Sequence, residues 1–417
     1  MATQEKSGSA LTSPGYLGPF IIVTALFFAF GFITTLNMAL VPHLRSVFNL
    51  NYAWAMLAET AFFLAYFVFS APSAKVIDRI GYKKTMVLSL FVQVVGCLLF
   101  IPAAKLVNFP LFLAAIFIVG AGITALQTAA NPYVIILGPE HSAPIRLTLS
   151  QAFNSIGALL APLVGGALIL AASPGAQSQA ALADTVRVPY LVIAGALLLL
   201  GIAVAFSHLP HIEQSQESHL STEDDPIHKR SIWSFRHTVL GALGIFLYVG
   251  VEVGLASIAV NYFKSQGMSS LKTASYLVSL YWGGAMVGRL LGSWMLSKIQ
   301  AGRLVGIFAT SGAILLIISM TTHGPVAIWT LVLCGFFNSI QFPNVFALGV
   351  AGLGPLTSKG SGLIMTAVVG GAVIPYFIGA LADTIGIQGS FLLPMACYLY
   401  IAWYGLWGSK PVKRVMA

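Results

Sequence analysis

Charged residues are scarce in this sequence: only 8% of its 417 residues are Asp, Glu, Lys or Arg, whereas 58% are hydrophobic. Soluble proteins carry about 25% charged residues, and a soluble chain of this length could not cover its surface with so few. The mean hydropathy of +0.89 leads to the same conclusion. The composition therefore predicts an integral membrane protein whose surroundings are a lipid bilayer.

Cysteine is also rare, and no catalytic motif is present. Cys97, Cys334 and Cys397 lie far apart within apolar runs, which excludes a disulfide framework and a thiolate metal site. The sequence contains no Walker-type phosphate loop, no His/Cys cluster and no G-x-S-x-G element. We therefore expect no enzyme activity, no metal and no cofactor, and we interpret the three thiols as small core side chains.

The formal net charge of +9 is concentrated on one side of the predicted membrane segments. With the N-terminus inside, fifteen Lys and Arg residues fall on the inner side and five on the outer side, and Arg289 lies within a segment. Because basic residues favour the cytoplasmic side, both termini are predicted to be cytoplasmic. The charge is thereby explained without a nucleic-acid partner.

Long apolar runs dominate the chain. A bilayer is spanned by about 20 apolar residues, and on this basis we count twelve transmembrane segments. The predicted organisation is a tail (1–16), a six-helix half (17–207), a cytoplasmic linker (208–235) with a short interfacial helix near 232–235, a second six-helix half (236–409) and a tail (410–417). The segments cover 17–46, 52–77, 83–105, 109–137, 143–172, 187–207, 236–264, 270–297, 303–321, 324–353, 361–385 and 388–409.

The two predicted halves share a pattern of glycine and proline. The spacing G-x4-P-x3-G occurs once in the fifth segment and once in the eleventh, at the same place in each half. This supports two halves related by a parallel repeat, an arrangement typical of secondary transporters. The residues are Gly157, Pro162 and Gly166 in the first half and Gly370, Pro375 and Gly379 in the second.

Amide side chains recur within the apolar segments. Gln127 and Asn131 are four residues apart in T-A-L-Q-T-A-A-N-P, so they share one face of a helix that Pro132 loosens. Such amides predict a polar central cavity, and their donors and acceptors suit the hydroxyls of a neutral sugar. The alternative is that each amide joins two helices by a hydrogen bond. The predicted substrate-binding residues are Asn37, Gln127, Asn131, Gln151, Asn154, Glu252, Tyr281, Asn338, Gln341 and Asn344.

Three ionisable residues, Glu59, Glu252 and Arg289, lie deep within predicted segments. A charge at that depth needs a partner or water. Glu252 is the predicted partner of Arg289 and the first candidate for ion coupling, and Glu59 is the second candidate. The alternative for each is a structural ion pair or a protonated, hydrogen-bonded carboxyl.

The loop A-K-V-I-D-R-I-G-Y-K-K, residues 74–84, joins the second and third segments. A positively charged inner loop explains its basic residues but not the order Asp-Arg-x-Gly. An Asp beside helix N-termini and Arg partners can latch helix ends in one conformation. We therefore predict that Asp78, Arg79 and Gly81 gate the conformational change, together with Arg289.

These motifs resemble a known family. The D-R-x-G-Y-K-K loop resembles the signature of the major facilitator superfamily. The stretches 126–140, 146–158 and 339–350 resemble the fucose–galactose–glucose:proton symporter family, and F-L-Y-V-G-V-E-V-G (246–254) and S-L-Y-W-G-G-A-M-V-G-R (279–289) are similar to its glucose/galactose transporter branch. The resemblance covers 17–409. It implies an all-α membrane protein with the twelve-helix major facilitator fold, a central sugar pocket and alternating access; we expect a monomer in a bacterial inner membrane.

Two positions depart from the fucose branch of that family. Met38 stands where that branch has an Asp in helix one, and Gln127 stands where it has a Glu in helix four. Neither side chain titrates, so the coupling mode stays open among proton symport through Glu252 or Glu59, sodium symport and uniport. The expected function is a glucose/galactose-like hexose transporter; the alternatives are an L-fucose or amino-sugar carrier and a non-transporting sugar sensor on a carrier fold.

Overall fold

The computed structural model describes residues 11–50, 52–165, 178–210, 231–268 and 271–410, and these residues are helical without any β-strand. Long apolar runs form helices because a helix satisfies every backbone polar group internally in lipid. The described residues form α1 (Leu17–Phe48), α2 (Tyr52–Lys105), α3 (Phe109–Ile136), α4 (Ala143–Gly165), α5 (Gln179–Asp184), α6 (Arg187–Phe206), α7 (Arg236–Ser265), α8 (Leu271–Leu296), α9 (Ala301–Thr321), α10 (Pro325–Asn338), α11 (Gln341–Val350), α12 (Thr357–Thr366), α13 (Gly370–Ser390) and α14 (Leu392–Trp403).

The described helices make twelve passes, as the sequence predicted. The helix α2 contains two passes joined by a turn at Gly81, and α10 with α11 makes one pass. The helices α12 and α13 make the eleventh pass, which turns at Gly386 into the last pass through α14. Eight helical stretches of the described chain are long and apolar enough to cross a membrane by length and composition alone.

Some predicted boundaries differ from the observed ones. The eleventh pass begins at Thr357, four residues before the predicted edge, because its first turn is polar and escapes a hydropathy count. Near 232–235 the structure has one turn of 3-10 helix, Ile232–Ser234. The predicted tail 1–10, the linker residues 211–230, the end of the fifth segment beyond 165 and the tail residues 411–417 lie outside the described residues.

The shared glycines mark equivalent close contacts in the two halves. A Cβ atom at Gly157 of α4 would overlap the Phe28 carbonyl oxygen of α1. A Cβ atom at Gly370 of α13 would overlap the Phe246 carbonyl oxygen of α7. Small residues let membrane helices approach this closely. The same spacing therefore positions the first and fifth passes of each half.

The passes alternate in direction, which defines two ends of the molecule. The Asp78 end contains the Gly81 turn, the C-terminal ends of α3 and α8 and the N-terminal ends of α4 and α12. The Asp383 end contains the Gly386 turn and the N-terminal end of α2.

Candidate functional site

The predicted gating loop lies where the two halves touch, at the Asp78 end. The Ser358 hydroxyl, in the first turn of α12, donates a hydrogen bond to the Asp78 carboxylate of the other half. A carboxylate at a helix N-terminus is stabilised by the helix dipole. Gly81 supplies the left-handed turn, with φ 80°, whereas the Arg79 side chain is exposed and forms no hydrogen bond or ion pair with the described residues. Of the three predicted loop residues, Asp78 makes the contact.

The contact between the halves continues along α3 and α4. The Ser361 hydroxyl donates to the Thr128 carbonyl oxygen at 2.8 Å. Asn131, a predicted site residue, donates from Nδ2 to Met365 Sδ at 3.5 Å. These contacts join α3 to α12 near the Asp78 end. The face of α3 that carries Asn131 is thus part of the closed contact.

A second predicted amide also bridges the halves. Asn344 Nδ2 of α11 donates to Thr148 Oγ1 of α4 at 3.3 Å, and both residues are buried. Thr148 lies in the first two turns of α4, so this bond is again at the Asp78 end. The halves are therefore held together at this end by neutral polar groups as well as by Asp78.

Other predicted amides hydrogen-bond within one half. In the N-terminal half they join α1, α2, α3, α4 and α6 in pairs, as expected when a polar group in a membrane helix finds a partner on a neighbour. Their immediate role is therefore to fix helix positions. The pairs are Asn37 Oδ1 accepting from Tyr190 OH (2.9 Å), Gln127 Nε2 donating to Tyr66 OH (2.7 Å) and Asn154 Nδ2 donating to the Phe27 carbonyl (3.3 Å).

Several buried polar side-chain atoms, most of them in these amides, have no hydrogen-bond partner among the described residues. Buried polar atoms are nearly always paired, so atoms like these mark places where a ligand hydroxyl or water can bond. The unpaired set draws on both halves. It includes Thr34 Oγ1, Asn37 Nδ2, Asn131 Oδ1, Gln341 Oε1 and Asn344 Oδ1.

Arg289 contacts the acid predicted as its partner and also reaches across to the other half. Its Nη2 lies 3.8 Å from Glu252 Oε1, and the two side chains are 10% and 13% exposed. Its Nη1 donates to the Gln151 carbonyl oxygen at 3.4 Å and to the Ser155 hydroxyl, both on α4. Its Nε donates to the Ser339 carbonyl oxygen at 3.1 Å. One guanidinium thus links α8 to α4 of the N-terminal half and to the Glu252 carboxylate.

Around Glu252, three tyrosines and Asn338 form a buried network in the C-terminal half. Asn338 Nδ2 donates to Tyr281 OH at 2.6 Å, and Tyr281 OH donates to the Glu252 carbonyl oxygen at 3.2 Å. Tyr398 OH donates to Asn338 Oδ1 at 2.6 Å, and Tyr248 OH donates to the Asn338 carbonyl oxygen at 3.0 Å. Glu252 Oε1 itself accepts no hydrogen bond from the described residues. The network fixes the backbone around Glu252 while leaving this oxygen available.

Glu59, the second candidate for ion coupling, lies outside this network. Glu59 is half-buried in α2 and forms no hydrogen bond or ion pair with the described residues. Arg289 pairs with Glu252, the partner predicted for it. The Met38 side chain lies outside the described part of the chain.

Arg146 was missed as a structural residue by the sequence analysis, which counted it only as an inner basic residue. It is 0% exposed. Its guanidinium donates to the carbonyls of Val134 (2.9 Å), Gly138 (3.0 Å) and Pro139 (3.1 Å), and to that of Leu11 (2.8 Å). The last carbonyls of a helix lack intrahelical partners, and Arg146 satisfies them at the end of α3. Backbone acceptors leave no signal in a sequence.

The comparisons with known proteins identify the family. The family model described as Major Facilitator Superfamily matches residues 22–374. The chain belongs to this superfamily. The glucose/galactose transporter of Brucella abortus biovar 1 (strain 9-941) is 47% identical over 411 residues, which cover 98% of this chain and 96% of that relative. The L-fucose-proton symporter of Escherichia coli (strain K12) is 32% identical over 411 residues, which cover 93% of this chain and 92% of that relative.

A solved structure supports the same conclusion. The crystal structure of the major facilitator transporter FucP in the outward conformation aligns with a TM-score of 0.82 and 29% identity, covering 94% of this chain and 98% of FucP. The resemblance to this family and to its glucose/galactose branch is confirmed, and so is the twelve-helix fold with two halves.

Proposed function

We propose that this chain carries a neutral hexose of the glucose or galactose class across a bacterial plasma membrane by alternating access. The main support is the 47% sequence identity to a glucose/galactose transporter over nearly the whole chain. The geometry supports the proposal because polar groups of both halves, such as Arg289 and Ser155, meet inside the bundle at the interface between the repeats. Secondary transporters bind substrate at this interface, near the bilayer midplane. The positive-inside rule assigns the Asp78 end, with both termini, to the cytoplasm. We propose that the carrier acts as a monomer.

In this proposal the sugar lies between the halves, next to the closed contact. Gln127 and Asn154 offer amide groups from the N-terminal half, and each retains some exposed surface. Glu252, with a 13% exposed side chain, offers from the C-terminal half a carboxylate oxygen that accepts no hydrogen bond from the described residues. Amides and a carboxylate together supply the donors and acceptors that sugar hydroxyls require.

Glu252 is the proposed coupling group. Met38 and Gln127 cannot titrate, whereas Glu252 is a carboxylate next to Arg289 in a buried network. Binding of a proton or a cation at Oε1 would change the attraction between Glu252 and Arg289, and Arg289 contacts the other half. Sodium coupling and facilitated diffusion are the two alternatives. Glucose uptake under imposed proton and sodium gradients distinguishes them from proton coupling.

The test is uptake of radiolabelled glucose into proteoliposomes, with and without imposed proton and sodium gradients. We expect gradient-driven accumulation by the unmodified protein and equilibration without accumulation by Glu252→Gln. Glu59→Gln serves as the matched control and should accumulate glucose normally. Equilibration by the unmodified protein under every gradient would contradict the coupling role and indicate facilitated diffusion.

A second candidate substrate is L-fucose, because a symporter of that sugar is 32% identical over most of the chain. Unlabelled galactose, L-fucose and N-acetylglucosamine should be compared as competitors of glucose uptake. Stronger competition by L-fucose than by galactose would reassign the substrate. Sugar binding without any uptake would support the sensor alternative instead.

A further inference from the structure

The chain contains two copies of one turn at opposite ends of the molecule. The sequence D-R-I-G, Asp78 to Gly81, ends the second pass, and D-T-I-G, Asp383 to Gly386, ends the eleventh pass. The two glycines adopt nearly the same conformation, φ 80° and ψ 168° at Gly81, φ 80° and ψ 162° at Gly386. The corresponding turn after α8, S-K-I-Q at 297–300, lacks both the Asp and the Gly. The second and eleventh passes therefore carry the same turn in inverted orientation.

When the two turns are aligned, the hydrogen-bond partner of Asp78 also has a counterpart. Ser358, its hydrogen-bond partner, precedes Asp383 by 25 residues, and Ala53 precedes Asp78 by the same 25 residues. Ser358 lies in the first turn of α12, and Ala53 lies in the first turn of α2. The counterpart of the Asp78 contact is therefore a contact between Asp383 and the N-terminal end of α2.

At the Asp78 end this geometry is fully formed. Ser70, Ala74 and Asp78 lie four residues apart along one row of α2. A Cβ atom at Gly362 of α12 would lie 2.8 Å from Ala74 Cβ and 3.2 Å from the Ser70 carbonyl oxygen. The row packs on α12, and the Asp78–Ser358 bond completes it.

At the Asp383 end the equivalent row is uncovered. Pro375, Gly379 and Asp383 form the same row on α13. A Cβ atom at Gly379 would find no atom within 4 Å, and Leu57, the counterpart of Gly362, is 37% exposed. Asp383 is exposed and forms no hydrogen bond or ion pair with the described residues. The surfaces that are joined at one end are thus separate at the other.

The two helices touch midway between the ends. A Cβ atom at Gly371 of α13 would lie 2.7 Å from Phe63 Cε1 of α2. On the Asp78 side of this contact, α2 packs against the eleventh pass. On the Asp383 side, the two helices are apart. A rocking movement about this contact would exchange the two arrangements.

We propose that Asp383 is a second latch, which closes the Asp383 end by accepting hydrogen bonds from the N–H groups in the first turn of α2. Asp78 holds the first turn of α12 through the Ser358 hydroxyl. Ala53, the counterpart of Ser358, has no hydroxyl, so the contact at α2 is with the backbone. The first N–H groups of a helix lack intrahelical partners, and the helix dipole attracts a carboxylate there. Only one latch is engaged at a time, so the two carboxylates set the balance between the two conformations. This inference rests on the alternating access proposed above.

The test uses the double variant Leu57→Cys/Gly379→Cys in proteoliposomes. These positions meet only when the Asp383 end closes, so the rate of disulfide formation, followed by mass spectrometry of the cross-linked peptides, reports that state. We expect Asp383→Asn to lower this rate about two- to fivefold, because it removes the attraction between the carboxylate charge and the helix dipole. We expect Asp78→Asn to raise it, because that change releases the opposite latch.

Two controls separate the latch from a general loss of charge or of folding. Asp184→Asn removes an exposed carboxylate, 3.9 Å from Arg187, in the short helix α5 that leads into the sixth pass at the Asp383 end, and should leave the rate unchanged. The pair Ala74→Cys/Gly362→Cys should form its disulfide readily in the unmodified background, which shows that the cysteine variants fold. No cross-linking of the Leu57/Gly379 pair in any background would overturn the proposal, as would an unchanged rate in Asp383→Asn. Loss of glucose uptake with the cross-linking pattern intact would contradict the proposed function only.

Discussion

At the scale of single residues, Arg289 connects the two halves through more than one hydrogen bond. Its guanidinium donates hydrogen bonds to Ser339 within its own half and to Gln151 and Ser155 across the interface. It also forms an ion pair with Glu252 at 3.8 Å. A planar guanidinium with five N–H donors can serve several acceptors at once, whereas an ammonium group cannot reproduce the fixed directions. The site therefore depends on shape as well as on positive charge.

Replacing Arg289 with Lys should lower the rate of glucose uptake by about tenfold or more, since the loss of charged hydrogen bonds costs about 1.5–3 kcal/mol each. Initial rates in proteoliposomes measure this. Arg303→Lys is the matched control, because Arg303 is exposed at the start of α9. Equal activity of the Arg289→Lys and Arg303→Lys variants would contradict the bridging role.

Gln127 should contribute to sugar affinity. Gln127→Leu removes the amide and leaves the Tyr66 hydroxyl, 2.7 Å from Nε2, without this donor. We expect the KM for the sugar to rise about tenfold, because a lost hydrogen bond to a buried polar group costs roughly 1–3 kcal/mol. The control is Gln93→Leu, since Gln93 is fully buried in α2 and, among the described residues, donates to the Ser89 carbonyl of its own helix. A similar KM in both variants would place Gln127 outside the sugar site.

The residue scale also shows how far the sequence could predict the site. The Arg289–Glu252 pair was predictable, because two opposite charges deep in apolar segments need each other. The hydrogen-bond partners of the amide side chains were not predictable. Gln127 and Asn131 share a helix face, yet one bonds to Tyr66 of its own half and the other to Met365 of the other half. Tertiary packing decides which neighbour an amide meets, and one sequence does not contain that information.

At the scale of helices, close contacts at glycine determine how each half packs. The helix α4 approaches α1 at Gly157, and α13 approaches α7 at Gly370. Each contact brings a helix backbone against a facing carbonyl oxygen, where no Cβ atom fits. The G-x4-P-x3-G spacing predicted related halves, and the structure shows that its first glycine is an equivalent packing contact in both.

Gly157→Ala and Gly370→Ala should each destabilise the protein by about 1–3 kcal/mol, the usual cost of forcing an extra methyl into a packed contact. Thermal unfolding in detergent measures the change as a lower midpoint temperature. Gly195→Ala is the control: Gly195 is exposed on α6 with no atom within 4 Å of an added Cβ, so it should be neutral or slightly stabilising. An unchanged midpoint in the two packed variants would contradict the close approach.

Hydropathy predicted the number of passes better than their ends. Apolar length alone indicates a spanning helix, so all twelve passes were recognised. The first turn of α12 was assigned to a loop because it is polar. Its Ser358 hydroxyl bonds across the interface rather than facing lipid. Polar residues at a helix end that contact another half look like loop residues in any hydropathy profile.

At the scale of the whole molecule, the closed contact between the described parts of the two halves lies toward one end. The hydrogen bonds that join α12 to α2 and α3, and α4 to α8 and α11, all lie toward Asp78. A carrier in this state must separate these groups before substrate can leave at that end.

A disulfide across this contact should therefore stop transport. In Ala74→Cys/Gly362→Cys the Cβ atoms start about 2.8 Å apart, close enough for a bond after a small separation. Oxidation should reduce glucose uptake to the background level, and a reducing agent should restore it. The single variants are the controls, and the three natural cysteines are buried. Undiminished uptake after complete cross-linking would show that the contact does not need to open.

The buried guanidinium of Arg146 has a practical consequence for expressing this protein. One of its acceptors is the Leu11 carbonyl, at 2.8 Å, and Ser13 N donates to the Leu137 carbonyl at 3.1 Å beside it. Shortening the chain to the start of α1 would remove both anchors and expose a cation at the end of α3. A purification tag should therefore be fused ahead of Leu11, with residues 11–16 retained, and a deletion trial at those residues should show a sharp drop in yield.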